Sequence, residues 1–244
     1  MARELHGKVD GAGLALMARC PELSGWVVHP GYQLSGGEFI KAIHVRAACL
    51  KTGARAARGA ARDKAGRLCH VCRVPQTLGH VLQRCPMAHG FRVKRHDELS
   101  YRLKRGLTKN RWLVESEPRI KVGGTYRKPD LTCVKEGRGI VLDPVVLSDK
   151  ADLTAEAARK RALYDIPEVR QHVSRQAELA ASPGIATVEV FGIASNWRGA
   201  WLPASVRILR SMGLSLKFLN YAAVSVLTSS WHAWHAVLHR RTGL

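Results

Sequence analysis

Acidic residues are scarce in this chain: 19 Asp plus Glu stand against 39 Lys plus Arg in 244 residues, a formal charge of +20 at pH 7. Self-repulsion on that scale is tolerable when a phosphate lattice or an anionic membrane neutralises it, so a polyanionic partner is expected. Nucleic acid leads, although basic structural proteins of ribonucleoprotein particles share this charge. The opening "MARELHGKVDGAGLALMARC" lacks an unbroken apolar run followed by a small-residue cleavage site, so no secretory signal is read and a reducing compartment is expected. Cysteines are few, and Cys20, Cys49 and Cys133 lie too far apart in the chain to imply a disulfide framework. The stretch 218–238 carries no Asp, Glu, Lys or Arg, but Asn220, Ser225, Thr228, Ser229, Ser230, His232 and His235 make it too polar for easy insertion into a bilayer. It is expected to form an amphipathic helix with Tyr221, Val224, Trp231 and Leu238 near its buried face.

What is present argues for a folded protein, since 46% of the residues are hydrophobic. Composition divides the chain into a helical and basic linker region (1–67), a Cys/His segment (68–90), an α/β region (91–215) and a C-terminal helix (216–244). In the linker, "LSGGEFIKAIHVRAACL" starts a helix at about residue 36, and Lys51, Arg55, Arg58 and Arg62 follow at helical spacing among alanines. That basic stretch reads equally as a solvated linker or a phosphate-tracking arm. After residue 87 the pattern is a helix with an apolar stripe of Phe91, Leu99, Leu103 and Leu107. Short apolar runs then read as strands ("RWLVESEPRIKV", "DLTCV", "GIVLDPVV", "IATVEVFGIAS"), with two helices before the last. A three-strand meander, crossover helices, another strand and terminal helices make an α/β layer domain.

Two clusters carry chemistry. Cys69-x2-Cys72-x7-His80-x4-Cys85 offers four soft or borderline donors at a spacing suited to tetrahedral, structural Zn²⁺, with His70 and His89 as neighbouring alternatives for the imidazole ligand. Asp130 opens one strand, Asp143 ends the core run of the next, and the turn "KEGRG" makes the two strands a hairpin. Carboxylates converging at a sheet end in a basic protein suit a hard divalent cation, Mg²⁺, bridging protein and phosphate. Glu115 or Glu117 is a candidate third oxygen ligand. Lys160, with Tyr164 one turn further along the same helix face, is the candidate base or charge stabiliser. Read without chemistry, Asp130 is a turn residue after Pro129 and Asp143 an edge residue before Pro144; the N–H that Pro144 lacks implies either a bulge that re-aims Asp143 or the decay of an inactive copy.

The order of these motifs, with "KRHDEL" and "RKPDL" between them, resembles the C-terminal part of site-specific non-LTR retrotransposon proteins that carry a restriction-like endonuclease, from about Leu34 to about Asp165. The upstream reverse transcriptase of such proteins has no counterpart here, as no Tyr/Phe-x-Asp-Asp box occurs. The resemblance implies a PD-(D/E)xK restriction-endonuclease-like core, a mixed sheet flanked by helices, preceded by a CCHC zinc knuckle. It implies Asp130 and Asp143 as Mg²⁺ ligands, Lys160 as a displaced catalytic lysine because position 145 is Val, and a nuclear location. DNA is the implied partner, with RNA as the alternative. Arg55, Arg58, Arg62, Arg95, His96, Arg127 and Lys128 are the candidate nucleic-acid contacts. A catalytically inactive zinc-knuckle binding module is the second expectation.

Overall fold

The computed structural model describes residues 2–8, 10–29, 31–58, 67–179 and 187–239. Arg62 lies outside the described residues. The helices are α1 (Ala2–Gly7), α2 (Gly25–Val28), α3 (Gly36–Arg46), α4 (Gly53–Ala56), α5 (His89–Lys109), α6 (Leu153–Tyr164), α7 (Pro167–Leu179), α8 (Pro203–Ser211) and α9 (Leu216–His239). The strands are β1 (Leu113–Ser116), β2 (Ile120–Val122), β3 (Thr125–Arg127), β4 (Leu131–Lys135), β5 (Arg138–Leu147) and β6 (Thr187–Asn196).

Local chemistry sets the boundaries. Ser35 and Glu38 close a capping box at the start of α3, where Ser35 Oγ accepts from Glu38 N (3.2 Å) and the Glu38 carboxylate accepts from Ser35 N (3.0 Å). Asp152 caps α6 by accepting from Thr154 N and Ala155 N. The β4–β5 hairpin turns on Glu136 and Gly137, both left-handed (φ 49° and 74°), the geometry a two-residue hairpin turn requires. Among the described residues of the basic segment, 51–58 and 67, the helical part is the single turn α4, in keeping with the cost of glycine in a helix.

The main sheet runs β1-β4-β5-β6, antiparallel except for the parallel β5–β6 pair, while β2 and β3 form a separate two-stranded ribbon. This is a mixed sheet flanked by helices. Alternation along the strands sorts its two faces: Leu131, Cys133, Ile140, Leu142 and Ile193 pack with α5, α8 and α9, whereas Val134, Val141, Val188 and Val190 pack with α7. A further cluster joins Trp26, Val45, Leu82, Trp197, Val224 and Leu227, so the N-terminal segment, the Cys/His segment and α9 share buried surface.

Three expectations are corrected. "RWLVESEPRIKV" is two strands, because Glu117 takes a left-handed φ of 52° before Pro118 and ends β1. Pro144 causes no bulge, since β5 and β6 pair residue for residue from Arg138↔Thr187 to Leu147↔Asn196. Helix α9 is buried on most of its circumference, with Leu219, Ala222, Ala223, Val226 and Leu227 inside; of the four expected core residues only Val224 is fully buried. Small residues allow this, letting α5 and α3 approach closely. Among the described residues no helix is long and apolar enough to cross a membrane.

Candidate active site and metal centre

Strand register brings the two acids together. β4 and β5 pair from Leu131↔Leu142 onward, and one further step along that register sets Asp130 opposite Asp143 on one face, where cross-strand Cβ atoms are about 5 Å apart. Asp143 is 2% exposed. Burial, and next the charge of Asp130, raise its pKa, while Lys160 works in the opposite direction. Lys160 Nζ stands 2.6 Å from Asp143 Oδ1. Lys160 and Tyr164 both act on this carboxylate from α6. Tyr164, further along α6, donates from its hydroxyl to the Lys128 carbonyl (3.1 Å). Burial and then Asp143 raise its pKa.

Lys160 reaches Asp143 because of a glycine. Gly192 of β6 is the register partner of Asp143, and a Cβ there would lie 2.6 Å from the Ala157 carbonyl oxygen and 2.7 Å from Ala157 Cα. The bare backbone at 192 lets α6 lie directly on the strand, and Lys160 follows Ala157 by one turn. Gly192 was not among the expected site residues; an isolated glycine inside the strand pattern "VEVFGIAS" is the signal that marks it.

His96 of α5 completes the cluster from the other side. Its Nε2 lies 3.0 Å from Asp130 Oδ2 and 3.1 Å from the Pro144 carbonyl oxygen, and its Nδ1 lies 3.3 Å from Asp97 Oδ1. The Asp130 contact, opposed by burial, raises the imidazole pKa to about 9, so the ring is a cation at neutral pH. The Pro144 carbonyl points to the open side beyond the end of β4. In an extended strand the N–H of a residue points the same way as its C=O, so the donor Pro144 lacks is one the β5–β6 ladder does not use.

The remaining expected residues divide. Glu117 is exposed and paired with Lys128 (2.9 Å), and Glu115 with His172 (2.9 Å), so neither carboxylate is turned to the acid pair. Left-handed backbone at Glu117 swings its side chain off the strand face. Arg95 is a correction to the expected surface contacts: it is 3% exposed and donates to Ser230 Oγ of α9 (2.9 Å). The spacing 91, 95, 99, 103, 107 already puts it on the apolar stripe of α5. Arg55 and Arg58 both hold Asp10, at 2.9 and 2.5 Å, on the surface. Arg127 is half-buried with its Nε unpartnered, and its charge acts on Tyr164.

The second cluster is compact. One ligand atom from each of Cys69, Cys72, His80 and Cys85 lies within 4.8 Å of the others, a Cys3His group that can hold a metal ion. His70 and His89 are not part of it. The first two ligands sit on a tight turn, closed by Arg73 N donating to Cys69 O (2.9 Å) and Cys69 N to Val74 O (2.8 Å). His80 begins a single π-turn, 80–84, that leads into Cys85. His80 Nε2 is buried without a partner, the condition of a nitrogen awaiting a metal. At Cys69, burial raises the thiol pKa, but donors including the backbone N–H groups of Cys72 and Val71 outweigh it and hold the pKa below its ordinary value.

No family model matches the chain. It is 33% identical over 231 residues to the Retrovirus-related Pol polyprotein from type-2 retrotransposable element R2DM of Drosophila melanogaster, covering 94% of this chain and 21% of that protein. The Retrovirus-related Pol polyprotein from type-1 retrotransposable element R2 of Nasonia vitripennis is 30% identical over 215 residues (87% of this chain, 20% of that protein). One from Popillia japonica is 32% identical over 232 residues (93% and 30%). The chain spans between about a fifth and a third of the length of these curated relatives. Its homologues are thus Pol polyproteins of R2 retrotransposable elements, matched along almost the whole of this chain.

Proposed function

We propose that this chain is the endonuclease region of a non-LTR retrotransposon protein, a PD-(D/E)xK-type fold that nicks target DNA with Mg²⁺ and is braced by a structural Zn²⁺ on Cys69, Cys72, His80 and Cys85. The observation that carries the reading is the constellation at the end of the sheet, where the buried Asp143 faces Asp130 across the hairpin and holds Lys160 at 2.6 Å. A carboxylate whose pKa is raised by burial and next by a second carboxylate gains most from a shared cation. Such an ion, when bound, neutralises charge on the phosphoryl group and lowers the pKa of the attacking water.

This chain's own groups supply the rest. Asp130 and Asp143 hold the cation. The Lys160 ammonium hydrogen-bonds the attacking water or offsets charge building on the phosphate. Tyr164 fixes the carbonyl of Lys128, at the approach to Asp130. The basic residues of 1–67 and the Cys/His segment hold the duplex by phosphate contacts, which position without reading sequence. The relatives' names assign them to retrotransposable elements, and a DNA nick in the nucleus is the product this reading gives the chain.

One observation favours a second reading, a binding module without activity: each acid already has a cationic side chain at contact distance, His96 on Asp130 and Lys160 on Asp143. Nicking of supercoiled plasmid by the zinc-loaded protein in Mg²⁺ separates the two. Loss of about 10²–10³-fold in rate in Asp130→Ala and in Asp143→Ala is expected when a carboxylate holding the catalytic ion is removed. Cleavage unchanged in the variants excludes this site, and salt-sensitive binding without wild-type cleavage leaves the binding module.

A further inference from the structure

The β2–β3 ribbon has no part in the chemistry above. Its strands pair Ile120↔Arg127, Lys121↔Tyr126 and Val122↔Thr125, around a turn with a left-handed Gly123 (φ 55°). Alternation then gives it two unlike faces. Ile120 and Val122 lie on one, and Ile120 is buried against Val141 and Tyr164, beside the acid pair. The other face carries Lys121 and Tyr126, and extending the register adds Arg119 and Lys128; all four are exposed. Between residues 119 and 128 there is no Asp or Glu. Tyr126 is 49% exposed, and the Arg119 guanidinium sits 4.1 Å over its ring. The base of the ribbon is tied to the site, since Glu117 N donates to the Asp130 carbonyl (2.9 Å) and Tyr164 Oη to that of Lys128 (3.1 Å).

Lys128 is paired with Glu117 (2.9 Å), which leaves an exposed ring beside two cations, Arg119 and Lys121, at the lip of the acid pair. We propose that this ribbon grips the DNA beside the cleaved phosphate, with Arg119 and Lys121 on backbone phosphates and Tyr126 stacked against a base. A two-stranded ribbon fits a DNA groove, and an aromatic ring accepts any base on its face. The Arg119 guanidinium fixes the ring orientation before DNA arrives. Arg127, whose Nε is buried without a partner on the same hairpin, points to a phosphate seat closer to the acids. The inference rests on the endonuclease reading for where the DNA lies.

The test measures binding without cleavage, using the zinc-loaded full chain, Ca²⁺ in place of Mg²⁺, and fluorescent 40-bp duplexes with and without a single-stranded gap. R119A/K121A is expected to bind about tenfold more weakly and to flatten the slope of log K against log salt by about two. Tyr126→Ala is expected to lose about tenfold, most on the gapped duplex, with the salt slope unchanged, and Tyr126→Phe to restore it. These side chains are exposed, so melting temperatures should match wild type. Wild-type affinity and slope in all variants overturn the ribbon's role. Weakened binding in the variants beside a wild type that never nicks removes the endonuclease reading and leaves the grip. A nicking wild type with fully binding variants removes the ribbon alone.

Discussion

His96 shows how much of the site is set by single contacts. Imidazole pKa values start near 6.5, and the Asp130 contact lifts this one to about 9. The stabilisation is therefore complete below about pH 6.5 and disappears as pH rises through about 9. Discounted for a side chain 32% exposed, it amounts to about 2 kcal/mol. His96→Gln, zinc-loaded and without added Mg²⁺, should melt lower than wild type at pH 6 and equally at pH 10, and a constant difference across that range removes the ion pair from the account. A divalent cation on Asp130 competes with the imidazolium, so added Mg²⁺ should pull the His96 titration back towards 6.5 in an NMR experiment. Single residues were unevenly legible in the sequence. Asp130, Asp143, Lys160 and Tyr164 were read from apolar runs and helical spacing, and the structure assembles them in one place. His96 was read only as a nucleic-acid contact, because nothing in "KRHDEL" shows that a helix on the opposite face of the sheet ends its reach at Asp130.

At the level of elements, the hairpin was the legible part. The stretch "KEGRG" between two apolar runs marks a hairpin, whose two-residue turn at Glu136 and Gly137 fixes an antiparallel register, and that register decides which acids meet. The approach of α6 was not legible, since it depends on a missing methyl group two elements away. Gly192→Ala puts a carbon 2.6 Å from the Ala157 carbonyl, so α6 must retreat from β6 and take Lys160 with it. Destabilisation of about 1–3 kcal/mol is expected from overpacking of this kind. Nicking should fall while DNA affinity stays near wild type; full activity with an unaltered melting temperature means the helix is not held by that contact. The break between β1 and β2 was missed for a related reason. Glu117 adopts a left-handed backbone that its residue type does not announce, and the ribbon exists because of that turn.

Across the whole molecule, a charge of +20 is held on a core that the Cys/His segment helps to build. Val81 and Ala88 pack with Val237, Leu82 packs with Val224 and Leu227, and Gln83 Nε2 donates to the Leu147 carbonyl at the end of β5 (3.0 Å). The sequence located the ligands but gave no sign that their loop is bound so widely. Zinc at a hundredfold its dissociation constant stabilises a folded protein by about 2.7 kcal/mol. Chelation should therefore lower the melting temperature of the entire chain by roughly 5–10 °C in one transition, and an unchanged transition means that the four ligands hold no structural metal.

The chain's chemistry comes down to whether two carboxylates facing each other across a hairpin share one ion. Mn²⁺ binding to the zinc-loaded protein, followed by electron paramagnetic resonance in wild type, Asp130→Asn and Asp143→Asn, addresses this directly. One bound Mn²⁺ in wild type, lost in both variants while the Cys3His site stays filled, is the expected result. Equal Mn²⁺ binding in all three proteins contradicts it.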